Sequence, residues 1–318
     1  MSAEVTTQLL LLFILMSSGF FVRKTNIISK EISGVLSSVI SKVTMPALYI
    51  ATLMQTFSFE RMKNSAVMLL LAGIFYIISI SISLLFCFIF KAPKNDKGVI
   101  QFMLIFSNAA FMGYPVLDAI FGLQSDVRFG AVFFNLPFNL LAFTLGVWLL
   151  TRDIKDKPQL SKKTLLLNPG TLSVFIGLIF FLISPFVPGF LSDFIYDGPI
   201  HNGLLLLGNT TTPLSMIVIG AVLADISIKY ALTYWRIYLI SVFRLLVIPI
   251  VLFGVLSLLG ISGLTIGIPV VISGMPVAVF SVILAKEYGG NVELASIGVF
   301  FTTLLSFVTI PIISMILG

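Results

Sequence analysis

Residues 245–285 read LLVIPIVLFGVLSLLGISGLTIGIPVVISGMPVAVFSVILA, a run of 41 residues without Asp, Glu, Lys or Arg. A helix that spans a bilayer needs about 20 mainly apolar residues, so the run holds two helices. Gly260, Gly263 and Gly267 mark the turn between them. Between Arg244 and that turn lie about 14 residues, too few to span. The first helix must therefore begin upstream, near Trp235, and carry Arg244 inside it.

Outward from this run the same spacing recurs along the chain and predicts ten spans: 5–22, 37–57, 66–90, 98–122, 129–151, 168–188, 202–224, 235–258, 264–285 and 294–317. The fold class that follows is an all-α integral membrane protein. Composition agrees: 58% of the residues are apolar and 10% charged, against about one quarter charged in soluble domains, which excludes a soluble enzyme. Nineteen Lys and Arg against thirteen Asp and Glu leave a net charge of +6. These cations are strung between apolar blocks and not gathered on one face, so no nucleic-acid partner is expected. The single cysteine, Cys87, lies in an apolar run and reads as a buried thiol, with neither a disulfide nor a metal cluster open to it.

Orientation follows from the cations on alternate sides. With the N-terminus outside, the inner connections carry fifteen, from Arg23 and Lys24 to Lys286, and the outer ones carry Arg61, Lys63 and Arg128. Both termini are then outside, in a cell (plasma or inner) membrane. The first run lacks a positive region before it and a small-residue cleavage site after it, so it reads as span 1 and not as a signal peptide. The longest polar connection, Thr151 to Asn168, divides the chain into a five-helix unit (1–151), a cytoplasmic linker (152–168) and a second five-helix unit (169–318). Two like units of five spans each face opposite ways across the bilayer, the inverted-repeat design of many secondary transporters.

A pair of motifs supports that repeat. Gly113-Tyr114-Pro115-Val116 lies inside span 4 and Gly274-Met275-Pro276-Val277 inside span 9, its counterpart. Gly and Pro two residues apart remove intrahelical hydrogen bonds where lipid offers no replacement, so such breaks belong against protein or a polar cavity. Freed N–H groups of the following half-helix favour an anion, and unwound carbonyls hold a cation or a hydroxyl. The other reading of each motif is an ordinary proline kink. Gly113, Tyr114, Pro115, Gly274, Met275 and Pro276 are therefore candidate substrate contacts.

Asn108 precedes the first break and offers an amide to a carboxylate or a hydroxyl, or serves as packing glue between helices. Asn135 and Asn139 flank Pro137 in span 5 and are further polar candidates. Arg244 is the one cation well inside a span. It either anchors a substrate carboxylate, or snorkels to the inner surface, or pairs with Asp118 or a helix C-terminus. Asp118 is a candidate coupling-ion or proton site, or a solvated outer carboxylate. His201, the only histidine, reads as a solvated interface residue. Thr44-Met45-Pro46 in span 2 and Asn209-Thr210-Thr211-Thr212-Pro213 in span 7 echo one another and read as rigid frame. Phosphate-loop, zinc-helix and G-x-S-x-G motifs are absent from the sequence, which leaves ATP-driven pumping and hydrolysis without a motif.

Ser107-Asn108-Ala109-Ala110-Phe111-Met112-Gly113-Tyr114-Pro115, with Asn209 to Pro213, Met275-Pro276-Val277 and Ala285-Lys286-Glu287-Tyr288-Gly289, resembles the auxin efflux carrier family. Microbial members of that family are often labelled malate or malonate permeases, and the short linker resembles theirs. The resemblance implies a fold similar to that of bile-acid sodium symporters. Spans 1, 2, 6 and 7 would form a scaffold that dimerises, and spans 3–5 and 8–10 a transport domain in which broken spans 4 and 9 cross. Span 3, Ala66–Phe90, contains no acidic or basic residue, so a charged support site like that of the plant branch has no counterpart there.

The expected function is a secondary transporter, by efflux or exchange, of small organic anions such as dicarboxylates, working by alternating access around the crossing of spans 4 and 9. The expected partners are the anion, the lipid bilayer and a second copy of the chain. No cofactor and no catalysis are expected, and coupling to H+ or Na+ stays open. The rival reading is a membrane receptor or scaffold that binds a carboxylate ligand without moving it.

Overall fold

The computed structural model describes residues 3–152, 169–225 and 234–317, so all of the expected linker but Arg152 lies outside the described residues. Among these residues the chain is helical throughout and forms no strand. The helices are α1 (Ala3–Lys24), α2 (Glu31–Leu53), α3 (Phe59–Ile89), α4 (Lys94–Ile105), α5 (Ala109–Phe121) and α6 (Ser125–Thr151). After the linker come α7 (Pro169–Phe186), α8 (Asp193–Ala224), α9 (Arg236–Leu258), α10 (Leu264–Ser273), α11 (Phe280–Tyr288) and α12 (Val292–Ile316). Seven of them, α2, α3, α6, α7, α8, α9 and α12, are long and apolar enough to cross a membrane, while α5 and α10 are shorter apolar helices. Leu70, Ile77, Phe88 and Leu206, each at least two-thirds exposed, are faces suited to lipid.

Prolines inside these helices act through a recurrent device. Wide, π-type turns cover Ile40–Thr44, Ala109–Gly113 and Phe243–Val247, each ending two residues before a proline: Pro46, Pro115 and Pro249. A proline has no N–H to offer the carbonyl one turn back, and the ladder shifts to a bond five residues long instead of breaking. Met45 N–H to Ile40 O and Ile248 N–H to Phe243 O are such bonds. Pro115 thus sits in the first turn of an α-helical segment, where a proline is well accommodated.

This corrects the expected position of the first break. In span 4 the helix is lost at Phe106-Ser107-Asn108, before Gly113 and Pro115, and resumes as α5. Span 9 does part at its motif, between α10 ending at Ser273 and α11 starting at Phe280, with Gly274 and Pro276 in the gap.

Two packed groups result. In one, α1 lies along the Thr211–Ala224 part of α8, and α2 sits against α7 and the Pro199–Asn209 part of α8. The backbones of α1 and α8 approach so closely that a Cβ at Gly19 would strike Ile217 O and one at Gly220 would strike Met16 O. In the other, α3 packs on α4 and α6, α10 on α3, α6 and α9, and α12 on α4, α9 and α11. Helix α5 touches α1 and α8 across the boundary, and α6 touches α2 and α7.

Candidate functional site

The two interruptions meet. Phe106–Asn108 and Pro276–Ala278 run antiparallel, with Asn108 N–H donating to Pro276 O at 2.7 Å and Ala278 N–H to Phe106 O at 3.1 Å. Ser107 and Val277 face one another between these bonds. Val277 N–H turns outward to Thr302 Oγ1 of α12, at 3.0 Å. Backbone groups that lipid would leave orphaned are thus satisfied by the opposite strand and by one threonine. Ser107, Asn108, Met275, Val277 and Ala278 are all buried.

Carbonyls at the helix ends have a different partner. Arg244 rises from the wide turn of α9, fully buried, and donates Nη1 to Leu104 O at 2.8 Å, Nε to Met275 O at 3.2 Å and Nη2 to Ser273 O. Among the described residues its guanidinium has no carboxylate partner; Phe75 lies 5.7 Å from Cζ, ring face toward it. Of the readings open for Arg244, pairing with a helix C-terminus is the one the contacts match. Burial corrects the snorkelling reading, and the pairing of Asp118 with another residue, Arg128, corrects the Asp118 reading.

On the amide side, α5 starts directly after Asn108 and α11 after Val279, neither with a side-chain cap. Among the described residues, buried Asn108 Nδ2 has no hydrogen-bond partner, nor has the buried Tyr114 hydroxyl. The Tyr114 ring lies 5.7 Å from that of Tyr49, whose hydroxyl accepts from Asn135 Nδ2 at 3.2 Å. A polar cluster of two phenols and an amide therefore stands on the α5 side, with one donor free at Asn108. Gly113 faces Met275 and Ile272 with room for a Cβ, whereas a Cβ on Gly274 would meet the tip of Ile313. Of the two motif glycines, Gly274 has the tighter surroundings. The side chain of Asn139 lies outside the described residues.

A cavity of about 920 Å³ opens where α2 and α5 end and α8 begins; Pro115, Asp118, Arg128, His201, Asn209 and Thr212 are among its walls. Arg128 grips Asp118 bidentately, Nε to Oδ1 at 2.9 Å and Nη2 to Oδ2 at 2.8 Å, and sends Nη1 to Asn209 Oδ1 at 3.3 Å. Asp118 is thus a paired carboxylate at a cavity, not a solvated one. His201 is half-buried at the cavity wall with Nε2 3.2 Å from Ala51 O. The two echoing motifs do meet, through Thr211 Oγ1 to Thr44 Oγ1 at 2.9 Å.

The structure thus brings together Asn108, Met275, Pro276 and Arg244 at the crossing, with Gly113 against Met275 and Gly274 in the gap itself. Tyr114 and Asn135 form a neighbouring cluster, and Asp118 stands apart in the cavity beyond Pro115. Sequence reasoning missed Arg128, Tyr49 and Thr302. Arg128 had a legible signal, ten residues after Asp118 across the turn at Gly122, whose φ of +77° glycine adopts freely. Tyr49 and Thr302 had none, being ordinary residues of apolar helices. Beyond the crossing, Asp96 accepts from Tyr234 Oη at 2.9 Å and Asn291 Nδ2 at 2.8 Å, tying the starts of α4, α9 and α12. Burial, then the Asp96 hydrogen bond, holds the Tyr234 phenol above the usual tyrosine range. Among the described residues no group of three or more His, Cys, Asp or Glu could hold a metal ion.

Known proteins give the arrangement its context. An uncharacterized transporter of Methanocaldococcus jannaschii is 26% identical over 95% of this chain and 96% of its own length. An uncharacterized transporter of Methanothermobacter thermautotrophicus is 25% identical over 99% of this chain and 98% of its own. The family described as membrane transport protein matches residues 4–314, nearly the whole chain. With apolar helices of membrane length and two interrupted helices meeting in the interior, this chain belongs to that membrane transport family, the auxin efflux carrier family.

Proposed function

We propose that this protein is a secondary transporter of small organic anions, dicarboxylates among them, with its substrate site at the crossing of the two interrupted helices. The observation that carries the reading is Asn108: a buried amide whose Nδ2 has no partner, at the uncapped start of α5. A helix start favours negative charge, and a free neutral donor beside it orients a carboxylate without burying a further charge in the empty carrier. Tyr114, Asn135, Gly113 and Pro115 on one side and Gly274, Met275 and Pro276 on the other would shape the site. The cavity on the Pro115 side is its route to one face of the membrane, and the Asp118–Arg128 pair on its wall is the candidate coupling group.

In this reading the chain makes ten spans, the seven long helices with α1, the α4–α5 pair and the α10–α11 pair, arranged as two inverted five-helix units joined by a cytoplasmic linker. Both termini face outward from the cell membrane. The group of α1, α2, α7 and α8 acts as a scaffold that pairs with a second copy, and the other group moves against it to expose the crossing to each face in turn.

Purified protein in liposomes is expected to take up labelled malate or malonate, with uptake that saturates. Saturable binding without flux would instead make it a receptor, and neither binding nor flux across a panel of carboxylates, in a folded sample, would sink the reading.

A further inference from the structure

Unwound carbonyls and half-helix C-termini inside a membrane attract a cation, and in many carriers they coordinate sodium. Here that cradle is full. The acceptors of Arg244 are Leu104 O, one residue before the end of α4, Ser273 O at the end of α10, and Met275 O in the gap beyond. Each of the three guanidinium nitrogens therefore donates to a carbonyl at one of two converging C-termini. Each such terminus carries about half a negative charge, so one fixed positive charge matches the pair. The side chain is completely buried, and no carboxylate pairs with it among the described residues.

We propose that Arg244 is a resident cation, a positioning residue that fills the carbonyl cradle of the crossing so that no sodium or other metal ion is needed there. The inference rests on the reading of the crossing as an anion site. It also separates two roles that the sequence left open for Arg244: each guanidinium nitrogen already holds a carbonyl, so three of its five N–H donors serve the crossing itself, and anion contact is assigned to Asn108 and the helix starts. Because the positive charge stays on the chain, it is present in the loaded and the empty carrier alike. No metal ion has to occupy the carbonyl cradle for the anion to bind at the crossing.

The test has a stability arm and a flux arm, both on the full chain. The melting temperature of the purified wild-type protein is expected to agree within about 1 °C in sodium, potassium and N-methylglucamine chlorides of equal ionic strength, because a metal that binds the folded state would raise it selectively. Malonate or malate uptake by proteoliposomes is expected to agree within about twofold in the same three salts. A sodium-specific rise of about 5 °C, with or without sodium-dependent uptake, overturns the proposal. Arg244→Ala is expected to melt lower and to recover with methylguanidinium but not with urea, its uncharged analogue. A folded Arg244→Ala protein that no cation restores also overturns it. If Arg244→Ala yields no folded protein, Arg244→Lys is expected to fold where Arg244→Gln does not, and equal yields of the two count against a role for charge. Absence of flux for every anion, with the stability results as expected, counts against the transport reading and leaves the resident cation standing.

Discussion

Each packed group of helices contains short polar contacts, several of them charged pairs, whereas the side-chain bonds of Arg128 and Asn135 across the boundary are longer and have a neutral partner. Inside the first group, Arg23 pairs with Asp225 at 2.8 Å and Thr211 with Thr44 at 2.9 Å. Inside the second, Asp96 holds Tyr234 and Asn291, Arg61 meets Asp126 at 2.9 Å, and Arg244 binds three carbonyls. Across the boundary, Arg128 reaches Asn209 at 3.3 Å and Asn135 reaches Tyr49 at 3.2 Å. At 3.2–3.3 Å these bonds lie at or beyond the long end of the usual range and hold less than the shorter charged contacts inside the groups. Each group is pinned internally, as the proposed motion of one group against the other requires.

The largest expected effect comes from breaking the first group at its tightest contact. Gly220→Val would drive a side chain into the Met16 backbone, and a backbone cannot turn aside as a side chain tip can. We expect a loss of about 3 kcal/mol or more, read as little folded protein by size-exclusion chromatography. Normal yield and melting temperature would show that α1 and α8 part easily and that the group is not one body.

Next is the tie inside the second group. Asp96→Ala leaves the Tyr234 hydroxyl and the Asn291 amide without their acceptor, and hydrogen bonds to a charged group are worth about 1.5–3 kcal/mol each. Both sites are partly hydrated, so a total loss near the lower figure is expected in chemical denaturation. An unchanged midpoint would mean that α4, α9 and α12 are held by packing alone.

Asn108→Ala sharpens the contrast between what holds the fold and what waits for a ligand. Since Asn108 Nδ2 binds nothing among the described residues, its removal is expected to leave the melting temperature within about 2 °C. Substrate affinity is expected to fall about tenfold to a hundredfold, the worth of one or two hydrogen bonds to a carboxylate. Normal affinity in this variant would move the anion site away from the crossing.

The smallest effects belong to the boundary and to Gly113. Asn209→Ala removes a long bond across the groups and is expected to cost under about 1 kcal/mol, with transport as fast as wild type or faster. Slower transport would mean that this bond guides the motion. Gly113→Ala, whose Cβ would make ordinary van der Waals contacts with Ala109, Met275 and Ile272, is expected to change stability by no more than about 1 kcal/mol, in the stabilising direction.

The sequence by itself determined the helical membrane class, because the free energy of burying apolar residues in lipid depends on local runs and their lengths, and runs are legible without a fold. It also marked the gap at Gly274–Pro276, since a glycine and a proline so close act on their own helix. It misplaced the first gap because a wide turn over Ala109–Gly113 absorbs Pro115, and whether a proline widens or breaks a helix is decided by what its freed carbonyls can reach. Only the tertiary structure decided that the gap falls at Ser107, where Pro276 and Phe106 exchange backbone bonds with Asn108 and Ala278. Arg244 shows the same division. Its place in a span was plain from the charge pattern, but its acceptors lie 140, 31 and 29 residues away along the chain and are main-chain carbonyls, which every residue carries and no sequence pattern distinguishes.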